Sequence, residues 1–143
     1  MDKNGVITFK GNCTICAGCC IVVHDSATLT FGRNFQANSN FLVVSSAYIL
    51  FGDNVLIGWN CTVIDGDGHK LYMNDKRVNP PASITVGEHC WIAANVSLLK
   101  GTEIANNCVI GYGSIVSGKF KADHSLIAGA KAKVRKENIV WKE

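Results

Sequence analysis

From Val86 to Val116 an aliphatic residue falls at every sixth position, through Ile92, Leu98, Ile104 and Ile110, without a miss. The residue after each is mostly small, as at Gly87, Ala93, Ala105, Gly111 and Ser117, with Leu99 the exception. Four positions on from each stand Cys90, Val96, Thr102, Cys108, Ser114 and Phe120, small or β-branched except the last. The same grammar runs through Phe51, Ile57 and Val63, with Gly52, Gly58 and Cys61 in the matching places. A period of six suits neither an α-helix, at about 3.6 residues per turn, nor a flat strand, at about two. It suits a chain that turns a corner every six residues, so that three sides close a triangular coil of 18 residues. Stacked coils pair backbone to backbone at about 4.8 Å, and the aliphatic residues of each lie over those of the next and fill the interior. The predicted fold class is therefore all-β, a parallel β-helix forming one domain over residues 1–143.

Toward the amino terminus Ile7, Ile15, Ile21, Leu29 and Phe31 keep apolar alternation without a clean period, which predicts irregular coils. The repeat breaks once, over the polar stretch Asp65 to Ser83 that holds both prolines of the chain. A long excursion from a compact solenoid is a functional loop more often than not. After Val116 the period dissolves, and residues 119–143 are expected to cap the stack against strand addition. That tail holds seven of the fourteen basic residues and three acids, a charge of +4 against −1 for the rest. A basic end on a near-neutral body points to a local anionic partner, such as a phosphate, and not to a nucleic-acid track. No apolar run approaches the ~18 residues of a membrane span, and Met1 to Asn12 lacks a signal core, so a cytoplasmic protein is expected.

Seven cysteines without a secretion signal are expected to be reduced thiols. Cys13, Cys16, Cys19 and Cys20 lack a partner pair at zinc-site spacing, so no metal is expected. Cys90 and Cys108, one coil apart, should stack in the interior, with Cys61 in the same place of its own hexad.

These residues resemble the hexapeptide-repeat acyltransferases, in the branch of galactoside, maltose and surface-polysaccharide O-acetyltransferases. The likeness runs from Phe31 to Trp141, through FGRNFQANSN, FGDNVLIGWNCTVIDGDGHK, ITVGEHCWIAANVSLLKGTEIANNCVIGYGSIVS and SLIAGAKAKVRKEN. It implies a left-handed coil, which spacing does not give, and a homotrimer with active sites at the subunit interfaces. It also implies acetyl-CoA as donor and His69, at the start of the loop, as catalytic base. Asn38 matches an acceptor-contacting asparagine, and Ser46 stands where the galactoside enzymes carry a substrate-binding aspartate. Ala94, Tyr112, Ser117 and Gly118 match the groove where pantetheine runs, and Lys133 and Lys136 match residues beside the nucleotide phosphates. Gly118 stands where lysine is common.

Moving an acetyl group from a thioester to a hydroxyl needs a base for a weak nucleophile and donors for an oxyanion. A histidine suits the first, and backbone N–H groups or Asn38 suit the second. Asp65 and Asp67 either orient His69 or serve as turn residues. Trp91, just ahead of Ile92, should face outward, as an acetyl-pocket wall or an interface aromatic. No serine or cysteine sits in a nucleophile elbow, so transfer is expected to be direct. Lys76 and Arg77 in the loop hint at an anionic or nucleotide-linked acceptor. Two further readings stand beside a sugar O-acetyltransferase: N-acetylation of an amino sugar or xenobiotic, and a non-enzymatic binding or structural solenoid. A zinc hydrolase on this scaffold is disfavoured because Asn74 stands where a second histidine would be needed.

Overall fold

The computed structural model describes residues 3–143; residues 1 and 2 of the expected domain lie outside the described residues. Strands make three parallel sheets, one per side of a triangular coil, and no helix occurs among the described residues. The first side stacks Val6–Phe9, Thr28–Phe31, Tyr48–Phe51, Ile84–Val86, Glu103–Ile104 and Lys119–Phe120. The second stacks Cys13–Ile15, Phe35–Ala37, Leu56–Ile57, Trp91–Ile92, Val109–Ile110 and Leu126–Ala128. The third stacks Cys20–Val23, Leu42–Ser45, Thr62–Ile64, Ser97–Leu99 and Ile115–Val116. Val86, Ile92 and Leu98 lie over Phe51, Ile57 and Val63, the alignment that the hexads predict.

Coil length changes along the stack. Thr85 pairs Glu103, Trp91 pairs Val109 and Ser97 pairs Ile115, a step of 18 residues. The first coil instead steps by 22, from Val6 to Thr28, and the second by 20, from Thr28 to Tyr48. The step from Ile49 to Ile84 is 35, because the chain leaves the coil after Ile64 and rejoins it at Ile84. The tail differs from its expected role as a cap alone. Lys119–Phe120 and Leu126–Ala128 continue the solenoid, and only Lys133–Lys136 reverses, antiparallel on Leu126–Ala128.

The corners explain the asparagines. Asn34, Asn54, His89, Asn107 and His124 hold positive φ in one column, and Asn40, Asn60 and Asn95 do so in the next. Asparagine tolerates this left-handed region better than most residues. Side chains bridge neighbouring rungs at 3.1 Å, from Asn34 to Asn54, Asn40 to Asn60, and His89 to Asn107. Where coils approach closely, glycine is required: a Cβ on Gly52 would lie 2.7 Å from the Gly87 carbonyl carbon.

Interior residues stack in columns along the coils. One corner column runs Cys13, Phe35, Val55, Cys90, Cys108, Ser125, and from Phe35 onward its residues shrink along the stack. Cys61, Cys90 and Cys108 are buried, Cys13 and Cys19 half-buried against the core, while Cys16 and Cys20 are exposed. Interior packing thus accounts for five of the seven cysteines, and Cys16 and Cys20 point outward because they fall off the corner columns. Burial pushes the Cys61 thiol up, and contact with Cys108 together with burial does the same for Cys90. The Cys90 contact lowers the Cys108 thiol to about 7, toward the reactive thiolate, so burial alone protects it: a thiol reagent should modify the exposed Cys16 and Cys20 fast in the native state and the buried Cys61, Cys90 and Cys108 only on unfolding. Mass-spectrometric footprinting that found Cys90 labelled as fast as Cys16 would refute this packing.

Candidate active site

The loop is built to hold a shape. Asp65 is fully buried, and its carboxylate accepts the Ala47 N–H at 2.9 Å and the Ser46 N–H, while the Ser45 hydroxyl lies 3.4 Å away. That anchors the loop exit to the coil beneath. Farther out, Tyr72–Met73 and Lys76–Arg77 form an antiparallel hairpin whose turn residues Asn74 and Asp75 both have positive φ. Asn79 clips the loop: its amide donates to the His69 carbonyl at 2.9 Å and to Asp67 at 3.0 Å, and its oxygen accepts the Leu71 N–H at 2.6 Å. The Lys100 ammonium donates to Asp67 and, with Asn79, holds that carboxyl below its ordinary 3.8. A lowered folded value makes the pair's contribution complete above the unfolded value and lost only as pH falls through the folded one, so the clip stays closed across neutral pH.

His69 is exposed and follows Gly68, whose φ is +77°. Its imidazole makes no hydrogen bond among the described residues. Neither aspartate orients it: Asp65 is consumed by the Ser46 and Ala47 amides and Asp67 by Lys100 and Asn79. The other histidines have structural contacts. His89 stacks on Trp141 at 4.3 Å and receives its indole N–H on the backbone carbonyl at 2.8 Å. His124 lies with Nδ1 3.2 Å from the Ile139 carbonyl, and His24 lines a cavity at the foot of the loop.

The other sequence-selected residues divide between corners. Ser46, Asp67 and His69 lie at the corner between the third and first sides, where Ser117 and Gly118 also fall. Gly118 has φ +94° in a two-residue corner between Val116 and Lys119, so the turn itself calls for glycine. Asn38, Trp91 and Ala94 instead line one cavity of about 280 Å³ on the second side. Trp59 and Trp141 line it too, which brings all three tryptophans of the chain into one wall. Tyr112, exposed, lies one rung beyond, its hydroxyl accepting from Asn95. From Ala94 to Lys100 the chain crosses a whole side, on the order of 20 Å, so the two groups do not meet within one copy. Lys133 and Lys136 are exposed on the reversed strand, opposite Ala128 and Leu126. Together with Lys131 these cations suit the phosphates of a nucleotide thioester, and the aromatic groove suits its apolar arm.

Sequence reasoning missed Asn79, Lys100, Trp59 and Trp141. Asn79 and Lys100 come together only when the loop closes, and Trp141 reaches back 52 residues to His89. That only three tryptophans occur was the available signal.

Residues 83–118 match the family described as bacterial transferase hexapeptide (six repeats). The chain is 37% identical over 114 residues to the galactoside O-acetyltransferase of Escherichia coli (strain K12), covering 78% of this chain and 55% of that one. It thus spans about half the length of that relative. The crystal structure of the polySia specific acetyltransferase NeuO superposes with a TM-score of 0.81 at 26% identity, over 98% of this chain and 69% of that one. A galactoside acetyltransferase in complex with coenzyme A superposes with a TM-score of 0.69 at 27% identity, over 91% and 64%. Its hexad spacing and three parallel sheets make it a β-helix, the superpositions make that helix left-handed, and over residues 83–118 it carries the repeat of the bacterial transferase hexapeptide family.

Proposed function

We propose that the protein is an acetyl-CoA-dependent O-acetyltransferase acting on a saccharide hydroxyl, working as a homotrimer with its sites between copies. The observation that carries this reading is the division of the site between two corners. A clipped loop presents His69 on one, and the Asn38, Trp91 and Ala94 groove lies on another. A neighbouring copy would bring the loop of one chain over the groove of the next. The loop's exposed Leu71, Tyr72 and Met73 supply an apolar surface for that contact. Similarity to a galactoside O-acetyltransferase and to a structure holding coenzyme A supports the donor and the acceptor class.

His69 would take the proton of the acceptor hydroxyl as its oxygen bonds to the thioester carbonyl carbon. The tetrahedral oxyanion, held by backbone N–H groups or Asn38, would collapse with cleavage of the C–S bond. The departing thiolate would then receive the proton from His69, leaving acetylated acceptor and free coenzyme A. Chromatographic quantification of coenzyme A across a panel of sugars and nucleotide sugars tests the reading directly. Acceptor-dependent release is expected, together with a trimer mass by sedimentation. Release with no acceptor of the panel, from a protein that also fails to bind coenzyme A, would sink it in favour of a non-enzymatic solenoid.

A further inference from the structure

At the foot of the loop lies a separate cavity of about 190 Å³, whose lining includes Ser46, Asp67, Lys70 and Arg77. Its charges do not balance. Asp67 is taken by Lys100 and Asn79. Asp65, beneath it, is taken by the amides of Ser46 and Ala47. Lys70 and Arg77 face the same small space, and against them stands only the charge of Asp67, which acts on Arg77 but is already bound by Lys100. The Arg77 Nε is moreover buried without a hydrogen-bond partner among the described residues. A buried donor left unpaired is costly, and folded proteins rarely keep one unless something external satisfies it. A guanidinium presents its N–H groups in a planar fork that matches a carboxylate or a phosphate, and an ammonium beside it adds a second charge-assisted bond. Nothing else in the cavity asks for a cation: Ser46 offers a neutral hydroxyl, and Gly66, Gly68, His24 and Pro81 complete the wall.

We infer that this cavity is an anion subsite, and that the saccharide acceptor carries a carboxylate or phosphate that Arg77 and Lys70 hold. The inference rests on the acetyltransferase reading for its consequence, because the same loop carries His69 next to Lys70. An acceptor pinned by its anionic group at the loop's foot would have one hydroxyl, and not any hydroxyl, presented to that base. Arg77 and Lys70 then act as binding and specificity-determining residues, with no part in proton transfer.

Matched sugars isolate the charge. Binding of galactose, galacturonate and galactose 1-phosphate to the full chain would be measured by ligand-observed NMR and calorimetry, without acetyl-CoA. At least one anion should bind on the order of tenfold tighter than galactose, and which of the two does so distinguishes a carboxylate from a phosphate. Raising the ionic strength should shrink the difference. Arg77→Gln should bring the anions to the galactose level, Arg77→Lys should restore part of the preference, and Lys70→Gln should weaken it. Lys121→Gln, in the sixth turn, should leave it intact. Circular dichroism of each variant guards against lost folding. Equal binding of all three sugars, no measurable binding of either anion, or a preference that survives Arg77→Gln would overturn the subsite. Transfer to neutral sugars without anion preference would do so while leaving the acetyltransferase reading standing. Anion preference without any release of coenzyme A would keep the subsite and remove the reading beneath it.

Discussion

His69→Ala is expected to cut acceptor-dependent release of coenzyme A by about 10²- to 10⁴-fold, the usual worth of a general base, with the fold unchanged. The structure favours so selective a result. Asn79 holds the loop through the His69 carbonyl, and the imidazole itself makes no hydrogen bond among the described residues, so alanine removes the base and keeps the clip. KM for the acceptor should move less than kcat, because the binding groups stay in place. Asn79→Ala should behave differently. It frees the Leu71 amide and the His69 carbonyl and leaves Asp67 to Lys100 alone, so kcat and KM should change in company while thermal stability of the coils holds. Steady-state kinetics over a range of acceptor concentrations separates the two patterns, and a folded His69→Ala protein with wild-type kcat would remove the histidine from the mechanism.

What could be read from the sequence was whatever repeats at short range. Six hexads determine the direction of each side chain, hence the interior of Ile92, Leu98, Ile110 and Val116 and the excursion between Ile64 and Ile84. The stacking of Cys90 on Cys108 follows from the same count. The amino-terminal coils escape it because their extra residues all fall in the corner between the third and first sides: Phe9, Ile15 and Ile21 keep the spacing of six, but the step from Ile21 to Phe31 is 10 residues and that from Val43 to Phe51 is 8. The sixth turn escapes it for the opposite reason. Ser117 and Gly118 close a corner two residues short, so Phe120 falls out of step although its strand still pairs. Aspartates 65 and 67 show the limit at the site. A DGDGH string places two carboxylates beside a histidine, but the backbone turns one into the coil and the other toward Lys100. Which corner a residue occupies depends on register over the whole stack, so the separation of Asn38, Trp91 and Ala94 from His69 emerges only in three dimensions.

Phe35→Ala is expected to cost about 3–5 kcal/mol of folding stability, the range for truncating a buried phenylalanine, and a large part of the roughly 5–15 kcal/mol that a domain possesses. The rings of Phe31, Phe35, Phe41 and Phe51 pack together in the interior of the second and third coils. Phe35 is wholly buried, with ring centroids 4.6 Å from Phe31, 5.0 Å from Phe51 and 6.2 Å from Phe41. Alanine would leave a void that the backbone cannot close, because both flanking coils are tied to it by ladder hydrogen bonds at Cys13 to Phe35 and Gln36 to Leu56. By contrast, Ile110→Val removes one methylene and should cost about 0.5–1.5 kcal/mol. Urea denaturation monitored by far-UV circular dichroism measures both. With a slope of about 1–3 kcal/mol/M, the midpoint of Phe35→Ala should fall by at least about 1 M, and that of Ile110→Val by less. Phe35→Leu should recover much of the loss, since it restores volume without the ring contacts. Equal midpoints for Phe35→Ala and Ile110→Val would mean that the phenylalanine cluster does not carry the stability assigned to it.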